Sequence, residues 1–423
     1  MKKIASIFLI FLFALLIFPR GAFAVDWYNV SWDYRVKITV QNGKVDADVT
    51  DFPVYVNLNN LPAGFHTNVN QTDARDIRVT KSDGTTELPR EVVFYTAASD
   101  TGELHFKADS VANATDTDFY IYYGNAGASD YAATDTYGRN NVWDSNHKMV
   151  LHLKDATTST ITDSTSNGNN GTKVGANEPV EADAKIYKGQ DFDGSNDYIS
   201  NGTGASIKDL VKAAAATFSF WIYPDAKDNM IMLRNDNNGS AGFWIENLQT
   251  TPSLGAAGLR LIVIFSTTNL RAGVASPSNG AWTKVDIVYP GDSVAANVLI
   301  YFNGVLQTQT TTISPVGSQT TDSAETFYLG NKRPTSNHGI TFSTLNGKLD
   351  EVNISNSARA STWISTQYNN QSDTSTFYAA GAEENAPVAG GVITTWNGIA
   401  TSSVATINGV STASIGTWNG ITW

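Results

Sequence analysis

Short apolar runs separated by turn dipeptides occupy almost the whole chain. Tyr34-Arg35-Val36-Lys37-Ile38-Thr39-Val40 alternates polar and apolar and stops at Asn42-Gly43. Segments at 53–58, 76–80, 91–95, 103–107 and 118–123 continue the series. Regularly spaced segments of this length predict the strands of a β-sandwich. Further along, Phe218, Phe220 and Ile222 fall on one strand face, as do Val285, Ile287 and Tyr289. Asn303-Gly304 sits between two apolar runs as in a tight hairpin, and eleven Asn-Gly pairs punctuate the chain. Helical periodicity is confined to 207–215 and 360–368. The pattern predicts an all-β protein whose facing sheets bury these strand faces.

The breaks in the pattern divide the chain. Lys2 and Lys3, an apolar run from Ile4 to Phe18 and the small-residue site Ala22-Phe23-Ala24 predict a signal peptide over 1–24. A β-domain follows over 26–125, a linker over 126–142 and a larger sandwich over 143–384. Glu383 to Gly391 then lead into a tail over 385–423. There Trp396-Asn397-Gly398-Ile399 recurs as Ile407-Asn408-Gly409-Val410 and Trp418-Asn419-Gly420-Ile421, eleven residues apart each time. Gly and β-branched residues argue against a helix, so the repeat predicts short β-turn units that serve attachment or assembly.

Charge and cysteine content narrow the function. Loss of Lys2, Lys3 and Arg20 with the signal takes the formal net charge from −12 to −15. Nucleic-acid binding needs the opposite sign. No stretch after the signal is apolar enough to span a bilayer, so an extracellular or cell-surface location is expected. There is no cysteine, which removes thiol chemistry and Cys-based metal sites. Of the histidines His66, His105, His147, His152 and His338, none forms a helical zinc motif. His147 and His152 are an odd number of residues apart on a strand, which makes them poor co-ligands. The histidines are therefore not expected to bind metal.

Two resemblances emerge from these segments. Trp27 to Arg35, Asp51-Phe52-Pro53-Val54, Asp76 to Gly84, Leu88-Pro89-Arg90-Glu91 and Tyr120 to Asn125 resemble the bacterial domain of unknown function numbered 2341. That family implies an extracellular β-domain without an agreed activity. Trp143-Asp144-Ser145-Asn146, Asp191 to Ile199, Thr217 to Ile222, Phe327 to Asn331 and Leu345 to Ile354 resemble, in order, the laminin-G-like branch of the concanavalin A-like lectin/glucanase superfamily.

The glucanases of that superfamily place paired carboxylates on one strand as Glu-x-Asp-x-x-Glu, the spacing that sets an acid and a nucleophile beside one glycosidic bond. Here Asp350 and Glu351 are adjacent and point to opposite faces by strand alternation, so a catalytic dyad is not expected. Asp193, Asn196 and Asp197 form a compact acidic turn. With Asp350 they are the candidate ligands of a calcium ion, as laminin-G-like relatives imply. Trp244 and the polar stretch carrying Asn331, Arg333, Asn337 and His338 are the candidate sugar contacts. The expected function is non-catalytic recognition of an extracellular polysaccharide, glycoconjugate or surface protein. A self-assembling surface or fibre subunit and a divergent polysaccharide-degrading enzyme are the alternatives.

Overall fold

The computed structural model describes residues 26–387, apart from 157–159, 175–177, 213, 227–228, 236–239, 249–257 and 331–344, together with six two-residue strands in the tail. The architecture is all-β and antiparallel throughout. No helix among the described residues is long and apolar enough to cross a membrane. The signal-peptide reading over 1–24 lies outside the described residues.

The first unit packs two sheets face to face. One has the strand order Tyr378–Asn385, Tyr34–Val40, Thr117–Tyr123, Arg78–Lys81, Glu87–Leu88; the other has Val49–Asn57, Thr101–Val111, Arg90–Thr96. Alternation explains the packing: Val36, Ile38, Val54, Val56, Leu104, Phe106, Phe119 and Ile121 all point into one core. Trp32, Tyr120 and Tyr122 form a separate cluster on the opposite face of the five-stranded sheet, and Trp27 and Tyr28 pack against them. The boundary read at residue 384 needs correction. Residues 378–385 belong to the first unit's sheet, where Tyr34 pairs with Asn385 and Val40 with Tyr378. The sequence conceals this because Tyr378-Ala379-Ala380-Gly381 alternates only weakly.

The second unit stacks a nine-stranded sheet on an eight-stranded one. Phe218, Phe220, Ile222, Val285, Ile287 and Tyr289 are fully buried between them, facing Phe243, Ile245, Leu259, Leu261 and Leu329. Asn303 and Gly304 both adopt positive φ (51° and 76°), joining Leu299–Phe302 to Val305–Leu306 as the Asn-Gly pair predicts. The predicted helix near 360–368 forms as Ser361–Ser372. The one expected at 207–215 does not; a single 3-10 turn, Ala205–Ile207, stands at its start. In the tail each repeat pairs two residues with two: Thr395–Trp396 with Ile399–Ala400, Thr406–Ile407 with Val410–Ser411, and Thr417–Trp418 with Ile421–Thr422.

The helix Ser361–Ser372 joins the two units. Its buried face is polar: Thr366, Gln367, Asn370 and Gln371, with Ile364. Gln371 accepts the Trp221 indole N–H from the second unit (2.9 Å). Asn370 bonds the Tyr55 backbone of the first, and Asn369 donates to the Lys44 carbonyl (2.9 Å).

Candidate functional site

An open cleft of about 780 Å³ lies where the two units meet. The first unit contributes Asp48 to Asp51 and Lys107. The second contributes the loops around Asp144 to His147, Thr165 to Asn167 and Ser357 to Ala360, with Thr362 and Trp363 at the start of the helix. Its walls are thus amide, hydroxyl and charged groups set around two indole rings, Trp143 and Trp363. Trp363 is half-buried, edge-on to Phe52 (centroids 5.0 Å apart), with the Arg359 guanidinium 4.3 Å over its ring.

Asp144 organises one wall. Its Oδ1 accepts the backbone N–H of Asn146 (3.0 Å) and of His147 (3.1 Å), a turn that Asp builds readily two residues on. The same carboxylate takes both Arg359 Nη atoms, at 2.6 and 2.8 Å, and lies 2.7 Å from His147 Nδ1. Burial pushes the Asp144 carboxyl up, but hydrogen bonds from His147 and Arg359 outweigh it and hold it well below the usual carboxylate range. Burial lowers the His147 imidazole, and Asp144 only partly offsets this.

Behind Trp143 lies a second group, buried between the units. Trp143 lines the cleft, donates its indole N–H to Glu91 (3.0 Å) and packs against the rings of His105, His147 and His152. Tyr55, His105 and Glu91 stand in one row across the three-stranded sheet. Glu103, two residues before His105, shares its face. From the second unit come His152, just past the His147–Leu151 strand, and Glu351. His152 Nδ1 is 2.5 Å from Glu351 Oε1 and 3.2 Å from Glu103 Oε1; His105 Nε2 is 2.9 Å from the same Glu103 oxygen. Burial pushes the Glu103 carboxyl up, but hydrogen bonds with His105 and His152 hold it at about 2. Sequence reasoning missed this group because its members come from both units. The legible trace was Glu103-x-His105 on one strand face.

The predicted site residues fall elsewhere. Asn331, Arg333, Asn337 and His338 lie outside the described residues. Trp244 is buried on the side of its sheet away from the main core, among Met230, Leu233, Ile262 and Tyr328, and donates its indole N–H to Glu246 (2.8 Å). Alternation from Phe243 and Ile245 puts it in this packed cluster on the outer face of the sheet.

Asp193, Asn196 and Asp197 do share one turn. Asp193 Oδ1 accepts the Ser195 N–H (2.7 Å) and Asp197 Oδ2 accepts the Asp193 N–H (3.0 Å). Asp350 does not join them. Asp193 pairs with Asn346, four residues or roughly 13 Å along the strand from Asp350. Asp350 instead accepts the Ile186 N–H (2.7 Å), and burial, then Glu351, pushes its carboxyl well above the ordinary range. Strand alternation also fails at this point. A bulge opposite Ser219–Trp221 puts Glu351 at φ 49°, and both Asp350 and Glu351 end in the buried layer.

Comparison with known families agrees with this architecture. Residues 193–365 match the concanavalin A-like lectin/glucanases superfamily. Residues 73–165 match the domain of unknown function 2341, a match that runs through 126–142 and past His152. The two matches follow one another along the chain, the second family ahead of the first. No curated protein matches it. Among solved structures, domain 4 of a GH43 extracellular arabinanase from Geobacillus stearothermophilus, in complex with arabinotriose, is similar at 19% identity and a TM-score of 0.38, over 53% of this chain and 98% of that one. The receptor binding domain of botulinum neurotoxin D is similar at 16% identity and 0.38, over 53% of each chain. The binding domain of botulinum neurotoxin DC, in complex with SialylT, is similar at 12% identity and 0.36, over 54% of this chain and 52% of that one. The alignment thus spans about half the length of the two toxin structures.

Proposed function

We propose that this protein is exported and binds an extracellular polysaccharide or glycoconjugate, without turnover, in the cleft between its two sandwiches. The observation that carries this reading is the lining of the cleft. Hydroxyls, amides and carboxylates from both units surround about 780 Å³, the size class of small-ligand sites, with Trp363 among them. Such a surface offers the mixed donors and acceptors that a polyol requires. The superfamily match over 193–365 supports the same class of ligand.

A glycan array tests this with the wild type and with Thr50→Trp, an exposed cleft position. Binding by the wild type and a loss of at least about tenfold in the variant is the expected result. An array without signal, or a variant that binds as well as the wild type, overturns it. A reducing-end assay on the bound glycans addresses turnover: release of new ends transfers the cleft to the enzyme reading.

The three terminal hairpins favour a second role in assembly. Light scattering with and without residues 388–423 addresses it, and a full-length monomer removes it.

A further inference from the structure

We infer that Glu103, His105, His152 and Glu351 form a binding site for a single divalent transition-metal ion of the zinc class, pinning the two units together. One donor atom from each residue lies within 4.8 Å of the other three, and all four residues are buried. The site is independent of whatever the cleft binds.

Charge balance points to a cation. Glu91, Glu103 and Glu351 are each 5% exposed or less, and among the described residues no Lys or Arg forms an ion pair with any of them. Their neighbours of opposite sign are the two imidazoles. Even with both rings carrying an extra proton, two positive charges face three negative ones in this buried layer. An uncompensated charge there is costly. A divalent ion held by Glu103 and Glu351 supplies the same two positive charges with the rings neutral, the form in which imidazole ligates, and leaves the Glu91 charge to its Trp143 and Ser164 donors.

The donor set selects the ion. Two imidazole nitrogens and two carboxylate oxygens suit zinc and its first-row neighbours, whereas calcium takes six to eight oxygens. A tetrahedral ion would hold the donors about 3.3 Å apart. The present contacts of 2.5, 2.9 and 3.2 Å, in a group whose atoms spread no further than 4.8 Å, bracket that spacing.

The outer layer is also in place. His152 Nδ1 faces the group, while its Nε2 has no hydrogen-bond partner and points toward Glu91 at 3.5 Å. Metal-bound histidines orient their second nitrogen on a carboxylate in this way. Glu91 is in turn fixed by the Ser164 hydroxyl (2.6 Å) and the Trp143 indole (3.0 Å).

The test uses the full chain, stripped with chelator and then dialysed against Zn2+ or Co2+. About one equivalent of Zn2+ should remain, the melting temperature should rise on loading and fall on chelation, and Co2+ should give the intense visible bands of a four-coordinate site. Glu351→Gln and His105→Gln should each abolish stoichiometric retention. A wild-type chain that retains no zinc, or whose Co2+ spectrum is that of the six-coordinate aqua ion, overturns the inference whether or not the variants fold. Retention undiminished in both variants overturns it as well.

Discussion

The side-chain amide of Asn370 stands in for a missing strand beside Tyr55. Its oxygen accepts the Tyr55 N–H (2.7 Å) and its nitrogen donates to the Tyr55 carbonyl (2.8 Å), across 315 residues of sequence. Val49–Asn57 is the edge strand of its sheet, and this one residue satisfies a buried stretch of that edge. Asn370→Leu should cost about 2–4 kcal/mol, because both backbone groups lose their partners in a dry interface. Urea denaturation of the two proteins measures it, and a loss below about 0.5 kcal/mol refutes the assignment.

The Asp144–Arg359 pair should make the cleft wall of the second unit acid-sensitive. The Asp144 carboxyl is held below its unfolded value of about 3.9. Its contribution is therefore fully present at neutral pH and is lost as pH falls below about 4 toward the folded value. Asp144→Asn should melt well below the wild type at pH 7, with the gap narrowing by pH 3. Melting curves over that range check the sign; a gap that widens in acid contradicts it.

Trp244→Ala should reduce stability by about 3–5 kcal/mol while leaving glycan binding by the folded fraction intact, since the ring fills a packed cluster rather than facing a ligand. Chemical denaturation paired with the glycan array separates the two effects. Intact stability with lost binding would return Trp244 to the role expected from the sequence.

Truncation should have a sharp threshold. Removing 388–423 should leave the main transition within about 1 °C, because the last strand of the first unit ends at Asn385. Removing 378–423 exposes the Tyr34–Val40 strand along its whole length and should leave the first unit unfolded or aggregated. Circular dichroism melts of the two truncations make the comparison.

Most of the sandwich framework was legible because strand alternation reports burial directly. Phe218, Phe220, Ile222, Val285, Ile287 and Tyr289 announced their core, and Asn303-Gly304 its turn. The joint between the units was not legible. The helix Ser361–Ser372 buries Gln367, Asn370 and Gln371, so its inward face carries no apolar signature. The His–Glu group draws on residues 103 to 351, and one member reaches it through a bulge that breaks the two-residue period. Asp144 stood in a quoted motif, yet nothing in sequence announced its partner Arg359, 215 positions on.

The return of residues 378–385 to the strand at 34–40 makes the larger sandwich, in topological terms, an insertion within the smaller one. Two covalent crossings, one after residue 123 and one before residue 378, hold the units where a simple tandem pair would have a single hinge. A double tether of this kind restrains swinging of one unit against the other, so the aperture of the cleft is set at folding. A ligand bound there, as proposed, would meet a prearranged mouth and give up less of its binding energy to ordering the protein.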